Sequence, residues 1–575
     1  MPNDPRAGVK PKVEIDGSPL AANLEPLLEL AVVDEHVHRP DMFMLSFRDI
    51  GRDIARQVNV QIGSKVKISG PSPSGGGSEV LIDGEVTALE AEYDASGSRA
   101  IVRGYDGSHR LHRGRVTQTY QNVKDSDIAQ TIASRAGLRP GTIDDSQVTH
   151  EHVSQVNESD WAFLNQRADE IGFEVAVTEG KLHFRKPKPS DQGPGSGNND
   201  SSNPLQLVWN QDLLEFRPRV SSSEQVNDVK VRGWDPKAKQ AVIGSAPAGT
   251  DSIDLPATPS ALAGKFGGHT YSEVDIPLTS QREVDATAKA VADQIGSAVA
   301  EAEGVARGNP KLKAGTPVSV ASVAADFIGK YTLTHTRHVF DAHAGTGYVT
   351  RFEVSGRQDR SLLGLMVNGT HAASTGPIAG VVVAQVTNND DPDKLGRVKL
   401  KFPWLSDTYE SDWTRMTQFG AGPDSGAVFM PEVNDEVLVA FEFGDVRRPV
   451  VVGALYNGKD KPRLGDGLFD NGKVKRRGVV SRKGHRFVLF DDPGKSGIAL
   501  ITSDSAIKVS LNETKQEIHV VCKGKVRIEA QDDVSIKSDK KVTIEGDQLE
   551  MTGKSGVKLS SNSSVQVSGK PIKHN

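Results

Sequence analysis

Through most of the chain, apolar and polar positions alternate with a period of two, for example over 330–336 and 347–354, which predicts strands with one buried face. Three stretches follow helical spacing instead. Asp125 and Ser126 can cap a short helix that carries Ile128 and Ile132 and stops at Gly137. Ser159 can cap a helix over 161–171, with Trp161, Leu164, Ala168 and Ile171 on one face and Gly172 beyond its end. From Glu283 to Arg307, Val284, Ala288, Val291, Ile295 and Val299 repeat at helical spacing. Residues 376–460 carry six short candidate strands, 378–386, 397–402, 413–418, 427–430, 436–443 and 449–455, at the hairpin spacing of a small barrel.

The pattern changes again after Ser505. Apolar pairs with one polar residue between them recur as Ile518/Val520, Val526/Ile528, Val534/Ile536, Val542/Ile544, Leu549/Met551, Val557/Leu559 and Val565/Val567. Successive pairs lie eight, eight, eight, seven, eight and eight residues apart, with Lys, Asp, Ser, Asn and Gly between them. Each octad reads as a short strand with two side chains on one face, closed by a polar turn, in a solenoid-like array. Two aliphatic side chains cannot offset the ordering of eight residues, and a lone array has no second face to pack on. Either one chain coils with three octads per turn, or three chains each supply one face of a prism. One chain would make fewer than three coils with both ends raw. Three chains would make a continuous shaft with every apolar pair on a three-fold axis, and this is the better fit. At about 4.8 Å per strand layer the shaft would be roughly 35–45 Å long. Interlocked chains leave no open sheet edge, which suits a part under compressive load. Cys522 continues the inward phase of Ile518 and Val520 and is expected to be a buried, reduced core residue.

Four polar stretches punctuate the chain. Residues 71–78 (PSPSGGGS) fit a long hairpin loop, 186–204 is a loop or linker without apolar content to pack, and 366–380 and 457–478 fit domain boundaries. At about 100–200 residues per domain, 575 residues imply three to five domains. With 57 Gly and 30 Pro the chain is turn-rich without reaching the composition of disorder. A net charge of −6 counts against a general nucleic-acid binder. A single cysteine excludes an intrachain disulfide and a Cys-based zinc cluster. No apolar run reaches the ~18 residues of a membrane helix, and the first residues lack the apolar core of a signal peptide, so cytoplasmic synthesis is expected.

A family becomes visible in the middle barrel. Leu395-Gly-Arg-Val-Lys-Leu-Lys-Phe-Pro-Trp404, the run from Ala427 to Gly444 (AVFMPEVNDEVLVAFEFG) and that from Asp445 to Gly458 (DVRRPVVVGALYNG) closely resemble the OB-fold of the VgrG and phage baseplate spike family. Arg482-Lys-Gly-His-Arg486, Phe490-Asp-Asp492 and Ile498-Ala-Leu-Ile501 resemble that family's connector into its β-helix, and residues 151–164 resemble the hub segment that opens its helix. The resemblance implies a mainly β chain: β-barrel hub domains with a few helices over 1–370, an OB-fold collar over 371–460, a connector over 461–506, and a trimeric, triple-stranded intertwined β-helix needle over 507–575. It further implies a homotrimeric central spike of a contractile injection system. The hub would present a pseudo-six-fold ring to a hexameric inner tube protein and touch baseplate proteins, and a PAAR-type tip protein would cap the needle. Cargo effectors are possible partners, and the target membrane would be met only on firing. Such a chain would assemble in the cytoplasm and end up in an injection particle. Overall it looks most like the spikes of extracellular contractile particles. T-even phage spikes carry a lysozyme between collar and needle, whereas only about 45 residues separate Gly458 from the first octads, and the chain ends about eight residues after Val567. A bare, non-enzymatic spike without cofactor is therefore expected. The alternatives are a spike with cell-wall hydrolase activity and a secretion-system VgrG delivering non-covalent effectors.

Other motifs carry less. Arg397, Lys399, Lys401, Phe402 and Trp404 could form a basic aromatic strand for single-stranded nucleic acid, but 376–460 holds 8 Lys/Arg against 13 Asp/Glu, so phosphate would be repelled. Glu35, His36 and His38 have ligand-like types without ligand-like spacing. His109 and His112 sit among Arg110, Arg113 and Arg115 and are expected on a solvated strand face. His335, His338 and His343 straddle a strand and its turn. His574 would bring three copies near a trimer axis and is the weak metal candidate. Residues 388–393 (NNDDPD) lack calcium-loop spacing and read as a hairpin turn. Gly494-Lys-Ser496 lacks the upstream glycine of a phosphate loop, and no Gly-x-Ser-x-Gly elbow occurs. Asp491-Asp492 and Asp532-Asp533 are adjacent in sequence and point to opposite sides of a strand or turn, so neither forms an acid/base pair.

Overall fold

The computed structural model describes residues 9–573 apart from 74–76, 96, 198–202, 345–346, 358–377, 379, 465–466 and 493. Most of the expected 366–380 boundary and His574 lie outside the described residues. The chain packs as two compact units, Met1–Asn457 and Gly458–Asn575.

In the first unit, alternation produces an antiparallel sheet of eleven strands. Its two halves, built from 12–106 and from 213–354, join where His335–Asp341 pairs with Leu28–His36. Separate apolar cores lie along the halves, one around Phe43, Leu45, Val66 and Ile68, the other around Leu213, Val318, Val320 and Leu333. Close approach fixes a glycine in the first: a Cβ on Gly104 would lie 2.1 Å from the Glu85 carbonyl oxygen and 2.4 Å from the Phe43 ring. The 71–78 hairpin is observed, with Pro71 opposite Ser78.

Two helix-bearing insertions pack beside the sheet. Helix Asp125–Arg135 forms, but Asp125 and Ser126 lie in its first turn rather than capping it, and Asp127 accepts the Lys124 N–H instead. Helix Asp160–Ile171 starts where the Ser159 side chain accepts the Ala162 N–H and ends at Gly172, whose φ is +70°. Trp161, Leu164 and Ala168 are buried with Phe163 and Arg167. The third helix is shorter than its apolar spacing suggested. It spans Gln281–Ser297 from a capping box at Ser280 and Glu283, and the chain then turns into the strand Ala300–Arg307. Ala300, Ala302 and Ala306 suit a period of two as well as a helix, and Gly296 and Ser297 break the helix first. Loop 186–204 is more than a linker: Ser190 is buried, its N–H bonded to the Asp251 carbonyl.

The collar is a five-stranded sheet ordered Lys399–Lys401, Val381–Asn388, Glu436–Phe441, Pro449–Ala454, Arg415–Met416, around Leu400, Phe402, Val437 and Val439. Five of the six candidate strands appear. The sixth, 427–430, does not: it follows a Gly-rich hairpin (Ala421–Gly422 with Ser425–Gly426), and its Phe429 N–H is bonded to the Gln418 side chain rather than to a strand.

Buried acids give the hub a pH signature. Burial pushes Glu35 up to about 7 and Asp106 up to about 7, and raises Asp41, which faces both. The folded state therefore holds a proton on Glu35 where the unfolded state, with an ordinary value of 4.5, has released it. Stability from this group is full below that ordinary value and is lost as pH rises through about 7. His338, pushed down to about 3 by burial, slopes the other way, so the test compares variants. Glu35→Gln should gain on the wild type by about 1–3 kcal/mol between pH 5 and pH 8. Urea unfolding at both pH values measures it, and a constant difference would exclude the effect.

Candidate functional site

The second unit contains a five-stranded antiparallel meander, Arg476–Val480, Arg486–Phe490, Gly497–Ile501, Ile507–Asn512 and Glu517–Cys522. Residues directly opposite in such a sheet share a face. One unbroken row across all five strands is Val479, Phe487, Leu500, Val509 and Val520. The next row on that face is Arg477, Leu489, Ile498, Leu511 and Ile518. These rows are largely exposed, with Leu500 at 55%. Apart from Arg477 at its edge strand, every residue of the two rows is apolar, and such a sheet face in water is a surface built to be covered.

The first octad pair, Ile518 and Val520, belongs to these two rows, so the octad repeat starts on this face. Cys522, partly buried, sits opposite Ile507 at the sheet's last rung. From Lys523 to Lys573 no strand ladder forms within the chain, among the described residues. The repeat residues Val526, Ile528, Val534, Ile536, Val542, Ile544, Leu549, Met551, Val557, Leu559, Val565 and Val567 are all exposed, Ile536 at 70%. Expected octad strands are thus absent as in-chain strands, because adjacent octads do not supply each other's hydrogen-bond partners.

The other singled-out residues are mostly tied into structure. His109 and His112 correct the solvated-strand expectation. They lie on the 3-10 helix Gly107–His112, where His109 Nε2 meets Glu85 Oε2 at 3.0 Å and His112 stacks on Trp161 at 5.0 Å between ring centres. His335 lies between Asp34 and Glu353. Burial opposes its charge, but hydrogen bonds to these two carboxylates outweigh burial and raise it to about 9. His338 is fully buried, with Nδ1 near the Tyr348 hydroxyl at 2.9 Å and Nε2 donating to the Leu312 carbonyl. His343 is on the surface. Among the described residues, no three His, Cys, Asp or Glu side chains group as metal ligands. Arg397 is held by Asp391 and Asp393, Lys399 by Glu410, and the Trp404 N–H by the Val383 carbonyl, so the basic aromatic strand is already engaged. Asp391 organises the 388–393 turn, accepting from Asp393, Leu395 and Arg397. Asp491 and Asp492 pair separately with Arg477 and with Lys475 and Arg476.

Sequence reading missed a chain of charges from hub to collar. Asp125, which also contacts His150, accepts from Arg167 Nε at 2.6 Å; Arg167 contacts Glu170; Glu170 accepts from Arg447 Nη1 at 3.1 Å; Arg447 also holds Asp445. The collar run from Asp445 to Gly458 contains Arg447, but its hub partner lies 277 residues earlier, and no local pattern links them.

The five-stranded collar is the part of the chain that the comparisons match in sequence to VgrG and phage-baseplate proteins. Residues 382–456 match the Type VI secretion system/phage-baseplate injector OB domain, and residues 65–341 match the Alg8 N-terminal domain. Among curated proteins, the type VI secretion system spike protein VgrG1c of Pseudomonas aeruginosa is 37% identical over 86 residues, 14% of this chain and 12% of that protein. VgrG3 of Vibrio cholerae, also a type VI spike protein, is 30% identical over 125 residues, 21% of this chain and 12% of its own length. The matches thus span only about a tenth of those relatives' lengths. Among solved structures, the lidded Francisella PdpA-VgrG complex is similar with a TM-score of 0.51 at 10% identity, over 89% of this chain and 80% of that one, a likeness of fold.

Proposed function

We propose that the protein is a non-enzymatic, homotrimeric hub-and-spike of a contractile injection machine. Its hub caps the inner tube and docks on baseplate proteins, its needle accepts a PAAR-type tip protein, and sheath contraction elsewhere drives it through the target envelope. It assembles in the cytoplasm and leaves as part of the particle. The observation that carries this reading is the exposed, mostly apolar face of the meander from Val479 to Val520, followed in sequence by octad pairs that are exposed within their own chain. Three copies meeting on that face would dry it and supply the missing ladder partners at once. In one second reading, favoured by the secretion-system relatives, the spike also carries effectors bound non-covalently.

Sedimentation of the purified protein should give a species of about three times 61.7 kDa that survives unheated detergent electrophoresis. A monomer with a mobile C-terminal segment would overturn the reading. A peptidoglycan zymogram should stay uncleared, and clearing would restore the hydrolase alternative.

A further inference from the structure

Hub and collar belong to one compact unit, yet their junction is not tightly filled. A cavity of about 1150 Å³ lies along it, lined among others by Trp234, Ile276 and Thr287 from the hub and by Trp413, Phe443 and Val450 from the collar. What spans the junction beside this cavity is mainly polar. The Ser154 hydroxyl lies 3.1 Å from the Tyr409 hydroxyl, His152 Nε2 donates to the Glu410 carbonyl, and Arg448 Nε donates to the Pro277 carbonyl. The charge chain crosses at the same place, and Arg447 is its crossing member.

Signs alternate along that chain, and both its ends are more buried than its middle: Asp125 is 0% exposed, Arg167 3%, Glu170 18%, Arg447 17% and Asp445 8%. Glu170 is compensated on both sides only while Arg447 is present, and Arg447 grips Asp445 through Nε and Nη2 while reaching Glu170 through Nη1. That geometry needs a planar fork with several donors, which a lysine ammonium does not provide. Burial opposes the charge on Arg447, but Glu170 and Asp445 outweigh it and keep the guanidinium charged. Asp445 is likewise held below the ordinary carboxylate range, its burial outweighed by Arg447. The Arg447–Asp445 pair that holds the guanidinium fork therefore stays ionised through neutral and mildly acid conditions.

We propose that Arg447 is the positioning residue of the hub–collar joint: it locks the collar to the hub as one body, and without it the joint hinges about the cavity. The functional value of this lock rests on the spike reading, in which axial load passes from hub to needle through the collar. The lock itself is a property of one chain.

The test places a thiol inside the joint of the full-length protein. Ser154 is buried and touches the collar across the junction, so Ser154→Cys reports opening through its rate of reaction with a soluble thiol reagent, with native Cys522 as internal reference. Adding Arg447→Met should speed labelling at position 154 at least tenfold and leave the Cys522 rate unchanged. Arg447→Lys should restore less than half of the lost protection on a logarithmic scale. Labelling within twofold of the parent rate, or full rescue by lysine, would overturn the proposal. Should Arg447→Met unfold the collar, as hydrogen exchange in Glu436–Phe441 would reveal, Glu170→Gln decides. It leaves the Arg447–Asp445 pair intact, and it should also open the joint; an unchanged rate would overturn the lock. A monomeric sedimentation result would remove the spike reading and leave this measurement standing.

Discussion

Ile536→Asp is expected to abolish the detergent-resistant trimer at neutral pH while leaving the single chain as stable as before. In one chain this side chain is already 70% exposed, so the substitution removes no intrachain packing. In the proposed prism it would set three carboxylates on one axis level in a dry aliphatic interior. Each buried unpaired charge costs several kcal/mol, far more than the loss of the isoleucine contacts. Protonation relieves that cost, so trimer should partly return near pH 4, where an aspartate is about half neutral. Ser535→Asp, one position out of phase, should leave assembly intact. Sedimentation velocity at pH 7.5 and pH 4 reads all three results. A trimer of the Ile536 variant that survives heat and detergent at pH 7.5 would show that the inward phase is misassigned.

Arg167→Met should be the most damaging single change in the hub, costing about 3–5 kcal/mol. Methionine fills much of the volume, but Asp125, at 0% exposure, would keep only His150, and Glu170 only Arg447. Burial works against the charge on Asp125, yet Arg167 and His150 outweigh it and hold the carboxyl well below the ordinary 3.8. Its contribution is present above 3.8 and is lost only as pH falls through the lowered value, so the penalty should be full at pH 5 and above. Chemical unfolding followed by circular dichroism measures it. A loss under 1 kcal/mol would mean that the pair is offset by its own desolvation.

Local signals made much of this fold readable. The cap at Ser159 and the stop at Gly172 bracket a helix that depends on neighbouring residues alone, and it forms where expected. The residues from Ala300 to Arg307 mislead because alanines fit either period, and pairing with Leu213–Val220 and Tyr348–Val354 decides for a strand. His112 could not be placed from its neighbours because the ring it stacks on, Trp161, is 49 residues away. The collar was legible as a domain through its residue pattern, while its junction with the hub was not. Arg447, Glu170 and Arg167 read separately as ordinary surface charges, and only the fold brings them into line. Of the octad pairs, Ile518 and Val520 lie on the meander's exposed face. That this face begins upstream, at Val479 and Phe487, depends on cross-strand register that the octad spacing does not contain.

The meander ending at Cys522 closes its ladders inside one chain, whereas the segment after it has no such ladders. In the proposed trimer this difference would order assembly in time. A newly made polypeptide can complete the meander alone, at a rate that does not depend on how many siblings surround it. In that proposal the stretch beyond would wait for an encounter, and then propagate from the finished rungs toward the tip like a zipper. Dilution should therefore delay only the late phase of refolding, and a break in the last rung near Val520 should stall everything downstream of it.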